Sequence, residues 1–258
     1  MTSLSARSVV ASTLLGTLPP RLPSRLLVAF AEEFGINAGT TRVALSRMLD
    51  RGELTRDNDH VYALAGPLLD RQGRQEAGLA PVLTPWTGDW EMHVVQAGGR
   101  EAGDRAALRA AATHLGLGEL RDGVWMRPAN LDPGRLPGAR DVLDQQADRF
   151  VATPDGDPSE LAASLFDLTG WGVEARRVAA AMAESCVVLE GDGQASLAEG
   201  FELAALGLRH LVADPLLPAE IHPPDWPASA LRNTYERYNR AYRARLSAFF
   251  RSRSRVAG

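Results

Sequence analysis

Apolar positions in the first fifty residues recur at the three- and four-residue spacing of amphipathic helices. Three segments show this spacing: ARSVVASTLLGT (6–17), RLLVAFAEEF (25–34) and GINAGTTRVALSRMLDRGEL (35–54). Prolines separate the first two segments, and a glycine follows the second. In the third segment, Leu45, Met48 and Leu49 share a face and Gly52 ends the periodic run. The pattern therefore predicts three short helices.

Two short extended stretches follow these helices. Residues 53–56 and 61–64 flank the polar turn Asp57-Asn58-Asp59-His60, which is typical of a hairpin, and 67–78 has a helical pattern again. Three helices, a hairpin and a helix are the plan of a winged helix-turn-helix. The sequence therefore predicts such a domain over residues 1–80.

The middle of the chain mixes strand and helix patterns. Alternating apolar residues around Trp90 predict a strand, 104–115 a helix, 123–128 a strand, 137–147 a helix and 149–153 a strand. This order is typical of a small ferredoxin-like α+β domain, which we place at 85–155. After the linker PDGDP the pattern is helical, which predicts a helical C-terminal domain over 156–258. The predicted fold class is therefore α+β and helix-rich, with three domains.

The net charge also varies along the chain. The net charge is −4, and all 28 cationic residues are arginine. Residues 1–80 carry +1, residues 81–231 carry −12 and residues 232–258 carry +7. A net acidic protein can still bind DNA, because contact depends on local positive patches. In the basic tail, apolar and tyrosine residues from Leu231 to Phe249 recur at helical spacing, which favours a packed face over a nucleic-acid-binding one.

Five motifs in order resemble the PaaX-type repressors of phenylacetate catabolism. They are ARSVVASTLLG with GINAGTTRVALSRMLDRGEL, PWTGDWEMHVV, LGLGELRDGVWMRP, SLFDL and DPLLPAEIHPPDWPASALRNTYERY. The resemblance covers nearly the whole chain. It implies a winged-helix DNA-binding domain, a ferredoxin-like middle domain and a helical C-terminal domain. It also implies a homodimeric repressor that an acyl-CoA thioester releases from a double-stranded DNA operator.

Candidate DNA-binding residues lie mainly on the third helix. In a helix-turn-helix, the N-terminal part of the second helix contacts base edges, where arginine reads guanine and hydroxyls bind phosphate or base. An ordinary solvated helix face is the alternative interpretation, which the helix order and the resemblance oppose. The predicted contacts are Thr40, Thr41, Arg42, Ser46 and Arg47, with Arg56 on the hairpin.

An acyl-CoA carries several phosphates, so its site needs arginines on a partly apolar surface. The candidate effector-binding residues are Arg127, Arg232, Arg237 and Trp226, with Trp125 nearby in sequence. Core packing is the alternative role of each tryptophan.

Enzyme motifs are scarce, so we predict a non-enzymatic protein without a cofactor. The five histidines show no metal-ligand spacing with one another, and Cys186 lies in an apolar helical segment. A metal-dependent nuclease built on the ferredoxin-like domain, with Asp89 before its first strand, is the alternative function. No apolar run approaches the ~18 residues of a membrane span. With no signal peptide evident either, we expect a cytoplasmic protein and no membrane partner.

Overall fold

A computed structural model of the chain describes residues 4–96, 98, 101–191 and 196–255. Contacts between Cα atoms divide the chain into two compact units, each built from separate segments. The first unit comprises Met1–Gly73, Val178–Gly207 and Asn233–Gly258, and the second comprises Arg74–Arg177 and Leu208–Arg232. Helices dominate the described residues, with two small antiparallel sheets, so the predicted α+β class is confirmed.

The N-terminal part of the first unit has the winged helix-turn-helix order. Its elements are α1 (Ala6–Gly16), β1 (Arg21–Pro23), α2 (Ser24–Glu32), α3 (Ala38–Asp50), β2 (Leu54–Arg56) and β3 (Val61–Leu64), followed by α4 (Pro67–Leu79). The strands form an antiparallel sheet in the order β1-β3-β2. The hydrophobic pattern missed β1, because prolines surround this three-residue strand. A proline is tolerated there because β1 is an edge strand.

One apolar cluster holds these elements together. It includes Leu14 of α1, Leu27 of α2, Leu45 and Met48 of α3, and Leu64 of β3, all of them buried. Burying each such side chain stabilises the fold by about 1.5–3 kcal/mol. One face of α3 therefore packs against α1, α2 and the sheet.

The second unit contains a ferredoxin-like domain. Its elements are β4 (Trp90–Val95), α5 (Ala102–His114), β5 (Gly118–Arg121), β6 (Val124–Pro128), α6 (Pro137–Gln146) and β7 (Ala147–Ala152). The antiparallel sheet has the order β5-β6-β4-β7. The sequence pattern missed β5, because this short edge strand is mostly polar. Gly116, before this strand, has φ +67, a left-handed conformation that favours glycine, and a Cβ there would lie 2.7 Å from the Arg127 guanidinium.

Both faces of the central strands β4 and β6 pack against other elements. On one face, Trp125 packs with Leu108 and Ala112 of α5 and Leu143 of α6. On the other face, Trp90 and Met126 belong to a cluster with residues of α7 (Pro158–Leu165) and of the segment 214–226. Trp125 is therefore a core residue.

Three long helices complete the chain: α8 (Leu168–Glu190), α9 (Leu197–Val212) and α10 (Ala228–Arg255). In the first unit, the Tyr238 hydroxyl donates to the Gly200 carbonyl at 2.9 Å, and the Tyr242 hydroxyl donates to the Leu197 carbonyl at 3.0 Å. Both tyrosines are buried, so the tail stripe is a packed face as predicted. Among the described residues, no helix is long and apolar enough to cross a membrane.

Candidate nucleic-acid interface

The start of α3 is set by a local cap. Asn37 precedes the helix, and its side-chain oxygen accepts from the Thr40 N–H at 2.9 Å. This satisfies one of the free N–H groups of the first turn. Thr41 turns inward: its side chain is fully buried and its hydroxyl donates to the Asn37 carbonyl at 3.2 Å. Thr41 therefore belongs to the packed face of α3, and the surface described below leaves it out.

The opposite face of α3 is exposed. It presents Thr40, Arg42, Val43, Ser46 and Arg47, which we call the α3 outer face. Four of these are the DNA-contacting residues predicted from the sequence. The fifth, Val43, is 51% exposed and was not among the predicted contacts, because an isolated valine in a helix is usually assigned to a core. Its place between Thr40 and Arg47, at spacings of three and four, was the available signal.

The hairpin after α3 is held by an aspartate. Asp57 Oδ1 accepts from the N–H groups of Asp59 at 3.0 Å and Val61 at 2.9 Å. Its other oxygen lies 3.1 Å from a guanidinium nitrogen of Arg21. The acidic turn is thus a structural feature with part of its charge paired. Arg56, directly before it on β2, is exposed.

An ion pair between the exposed Arg7 and the buried Glu53 links α1 to the residue before β2. Arg7 donates to both carboxylate oxygens of Glu53, from Nε at 2.9 Å and from Nη2 at 2.8 Å. The hydrogen bond to Glu53 raises the pKa of Arg7. Arg7 therefore fixes the hairpin relative to α1 within the first unit.

Two of the predicted effector-binding arginines share one network in the second unit. Arg127 of β6 is 1% exposed, and burial lowers its pKa to about 9. Its five N–H groups have these acceptors: the carbonyls of Leu115, Gly116, Pro128 and Leu216 and the side-chain oxygen of Asn130. All its donors are thus taken up inside the protein. Arg127 ties β6 to the turn after α5 and to the segment at 216.

Arg232 reaches the same segment from α10. Its Nη2 lies 2.6 Å from Asp214 Oδ2, and its Nη1 donates to the Gly78 carbonyl at the end of α4 at 2.5 Å. Asp214 Oδ1 accepts from the Leu216 N–H at 2.9 Å. Burial raises the pKa of Asp214, against the opposing effect of that N–H and of Arg232. The motif DPLLP is therefore a turn clamped by Arg127 and Arg232.

The other two predicted effector residues lie elsewhere. Trp226, partly exposed, stacks on Trp171 with ring centroids 4.6 Å apart, and Trp171 stacks on His210 at 4.7 Å. Arg237 belongs to the first unit, where it pairs with Glu190 at 2.5 Å. Of the four residues, only Trp226 offers a partly exposed apolar surface. Arg237 is the only exposed arginine among them.

Asp89, the residue behind the nuclease alternative, is used locally. Its carboxylate accepts from the hydroxyls of Thr87 at 3.1 Å and Thr153 at 2.9 Å. Within the part of the chain that the structure describes, no group of three or more His, Cys, Asp or Glu residues is placed to hold a metal ion. Cys186 is buried, and burial raises the pKa of its thiol.

Comparisons with known proteins cover almost the whole chain. Three family models match: PaaX-like protein at residues 5–68, PaaX protein central Cas2-like domain at 83–159, and PaaX-like protein C-terminal domain at 177–252. A solved structure from Mycobacterium tuberculosis, the uncharacterized protein Rv0674, is 39% identical with a TM-score of 0.71, and the match covers 95% of this chain and 99% of that one. No curated protein matches. The matched segments and this likeness together show that the chain belongs to the PaaX-like family.

Proposed function

We propose that the protein is a DNA-binding transcriptional regulator that inserts α3 into the major groove of an operator. The observation that carries this proposal is the α3 outer face, which presents two arginines and two hydroxyls on a helix rigidly packed by its other side. Family membership supports a regulator of the PaaX type. Cytoplasmic location is part of the same proposal.

The chemistry of the α3 outer face suits duplex DNA. Arg42 and Arg47 can donate two hydrogen bonds to a guanine edge, or one to a phosphate. Thr40 and Ser46 supply hydroxyls for phosphate or base. Arg56 on the hairpin lies beside a turn that is typical of the wing, and we assign it a backbone or minor-groove contact.

We further propose that the regulator is a homodimer on a two-fold-related operator. Specific protein–DNA interfaces usually bury about 1,000 Å² or more of protein surface, more than one small winged helix offers. A dimer places two α3 helices on successive half-sites, about one helical turn of DNA apart. Repression is the direction that the family resemblance favours.

An acyl-CoA effector is the remaining part of the proposal. The effector releases DNA only if it binds better to a conformation with lower operator affinity. Trp226 is its best-placed contact, because the tryptophan is partly exposed and already stacked on Trp171. Arg127 is buried and Arg232 is partly buried with its donors paired inside the protein, which favours a structural role for both, so the phosphates would be held by other arginines.

The test of DNA binding uses an operator selected from a random duplex library. Arg42→Ala and Arg47→Ala are compared with Arg121→Ala, which removes the same charge from an exposed position on β5. Loss of a base contact costs about 1–3 kcal/mol, and loss of a phosphate contact lowers the salt dependence by about one unit. If fluorescence anisotropy shows equal operator affinity for all three variants, a surface other than the α3 outer face contacts the DNA.

The nuclease alternative is checked with the same protein and labelled duplex. Incubation with Mg²⁺ should leave the DNA intact and reversibly bound. Cleavage that is lost in Asp89→Asn would instead support the nuclease.

A further inference from the structure

Among the described residues, one outermost strand of the ferredoxin-like sheet has no partner strand on its outer edge. Strand β7 pairs only with β4 among the named strands, at one end of the order β5-β6-β4-β7. Four successive residues, Asp148 to Val151, are exposed. Phe150 is 48% exposed and Val151 is 69% exposed. An exposed edge strand with large apolar side chains is a template for pairing with another strand.

The direction of the backbone groups follows from the register with β4. The Gln96 N–H donates to the Gln146 carbonyl at 3.0 Å, and Val94 faces Asp148 while Met92 faces Phe150. In an antiparallel pair, every second residue exchanges hydrogen bonds with its partner. Residues 146, 148 and 150 therefore bond to β4. Arg149 and Val151 point their N–H and C=O groups away from β4.

We propose that β7 of a second copy of this chain pairs antiparallel with this edge, around a two-fold axis at Phe150, and joins the two sheets into one. An antiparallel strand is its own complement under a two-fold axis. This inference specifies the interface of the proposed dimer but does not depend on DNA binding.

Charge and hydrogen bonding select the register. Residues whose backbone N–H and C=O groups point away from β4 must lie opposite one another in the new strand pair. This requirement excludes an axis between Arg149 and Phe150. An axis at Arg149 or at Asp148 sets two like charges directly opposite, which is destabilising. An axis at Val151 leaves a shorter overlap. The axis at Phe150 pairs the two phenyl rings and sets Arg149 against Val151 of the second copy, where the arginine stem covers the valine.

The decisive variant removes only the outward hydrogen bond. Because the Val151 N–H points away from β4, Val151→Pro leaves the bonds within the sheet intact. Val151→Thr is the matched control, since it keeps the N–H and the branched side chain. Light scattering of the full chain should show a dimer of 27.8 kDa protomers for wild type and Val151→Thr. Val151→Pro should weaken dimerisation roughly tenfold or more.

A cross-link tests the register. In a Cys186→Ser background, Phe150→Cys should form a disulfide with its own copy on oxidation, because a pair on the axis that exchanges no hydrogen bonds has the required Cα separation. Arg149→Cys should not, because its opposite residue is Val151. Circular dichroism confirms that each variant is folded.

Three results would overturn the pairing: a monomeric wild type, a dimer unaffected by Val151→Pro, or cross-linking of Arg149→Cys in preference to Phe150→Cys. Pull-down of a different protein that Val151→Pro abolishes, with a monomeric wild type, would assign the edge to that partner instead. A monomer that still binds its operator would overturn the pairing and leave the regulator standing. A dimer that depends on β7 but has no affinity for DNA would support the pairing and overturn the proposed regulator.

Discussion

Val43 is a solvent-exposed apolar side chain on the face of α3 that we assign to DNA. Its neighbours on that face, Thr40 and Arg47, are polar and suited to phosphate and base edges. In the major groove, the matching apolar group is the methyl of thymine. At the residue scale, we therefore expect Val43 to add a specificity element to the proposed DNA contact that hydrogen-bonding residues alone do not supply.

We expect Val43→Ala to weaken binding several-fold at sites that place a thymine against α3, since one methyl contact is worth about 0.8 kcal/mol. Replacing that thymine by uracil, which lacks the methyl group, should weaken wild type equally and leave Val43→Ala unchanged. Anisotropy titrations of the four combinations form a double-mutant cycle. Val173→Ala, on an exposed apolar position of α8, serves as the control. Equal sensitivity of both proteins to uracil would contradict the contact.

Glu91 is a second residue whose environment predicts a measurable effect. Burial acts to raise its pKa, but the hydrogen bond with His93 and the charge of Arg140 outweigh burial and lower the pKa to about 2. The Glu91 carboxylate lies 2.7 Å from His93 Nε2 and 3.1 Å from Arg140 Nη1. Because the folded pKa is depressed, the carboxylate stabilises the fold at neutral pH, and this contribution is lost as pH falls toward 2.

Glu91→Gln should therefore lower the free energy of unfolding at pH 7 by on the order of 3 kcal/mol. The difference from wild type should shrink steadily between about pH 5 and pH 2 as the carboxylate becomes protonated. Urea unfolding at several pH values measures it. A difference that does not change with pH would mean that the variant acts through packing alone.

At the scale of elements, β6 is joined to its surroundings by Arg127. One guanidinium supplies donors to the turn after α5, to Asn130 and to the turn at Leu216. Buried carbonyl groups need such partners, because an unsatisfied one costs about 1–3 kcal/mol. Arg127 thus holds three segments in register around β6.

Arg127→Met keeps the length of the side chain but leaves these acceptors without donors. We expect it to lower the free energy of unfolding by about 3 kcal/mol or more. Arg121→Met, at an exposed position of β5, should change it by less than about 0.5 kcal/mol. Denaturant titration compares the two. If the Arg127→Met protein has wild-type stability but does not bind the effector, Arg127 contacts the effector and its structural role is wrong.

For the whole molecule, the proposed regulation requires that DNA, a second copy and an effector act on one equilibrium. The two units share their long helices in sequence, since α8, α9 and α10 each contribute residues to both. The winged-helix elements belong to the first unit and Trp226 to the second. The proposed DNA contacts and the proposed effector contact therefore belong to different units, and any coupling between the two ligands must by linkage be reciprocal.

Calorimetric titration with phenylacetyl-CoA, other acyl-CoAs and the free acids tests this coupling. We expect a thioester to bind and to weaken operator affinity, and operator DNA to weaken thioester binding by the same factor. Trp226→Ala should weaken thioester binding about tenfold through loss of a stacking surface, while Val173→Ala should not. If no thioester binds at millimolar concentration, the acyl-CoA proposal fails and the DNA-binding proposal stands.

Much of the fold was readable from the sequence because its elements are periodic. The helices α1, α2 and α3 each place apolar residues on one face, and the alternation around Trp90 marks β4. Short edge strands escaped prediction: β1 lies among prolines and β5 is largely polar. Their pairing with β3 and β6 depends on contacts distant in sequence, which local patterns do not contain.

Sequence alone determined the family, the order of the main helices and of the longer strands, and which helix carries the arginines of the proposed DNA surface, since these depend on local spacing and composition. Tertiary structure decided the role of each side chain. Thr41 and Arg42 are neighbours in sequence, yet the helix turns one into the core and the other into solvent. Arg127 and Arg232 are charged residues that suggested a ligand, but packing surrounds them with the protein's own acceptors. The reason is that the burial of a side chain and its hydrogen-bond partners depend on distant segments that folding brings together, whereas hydrophobic periodicity is a local property of the sequence.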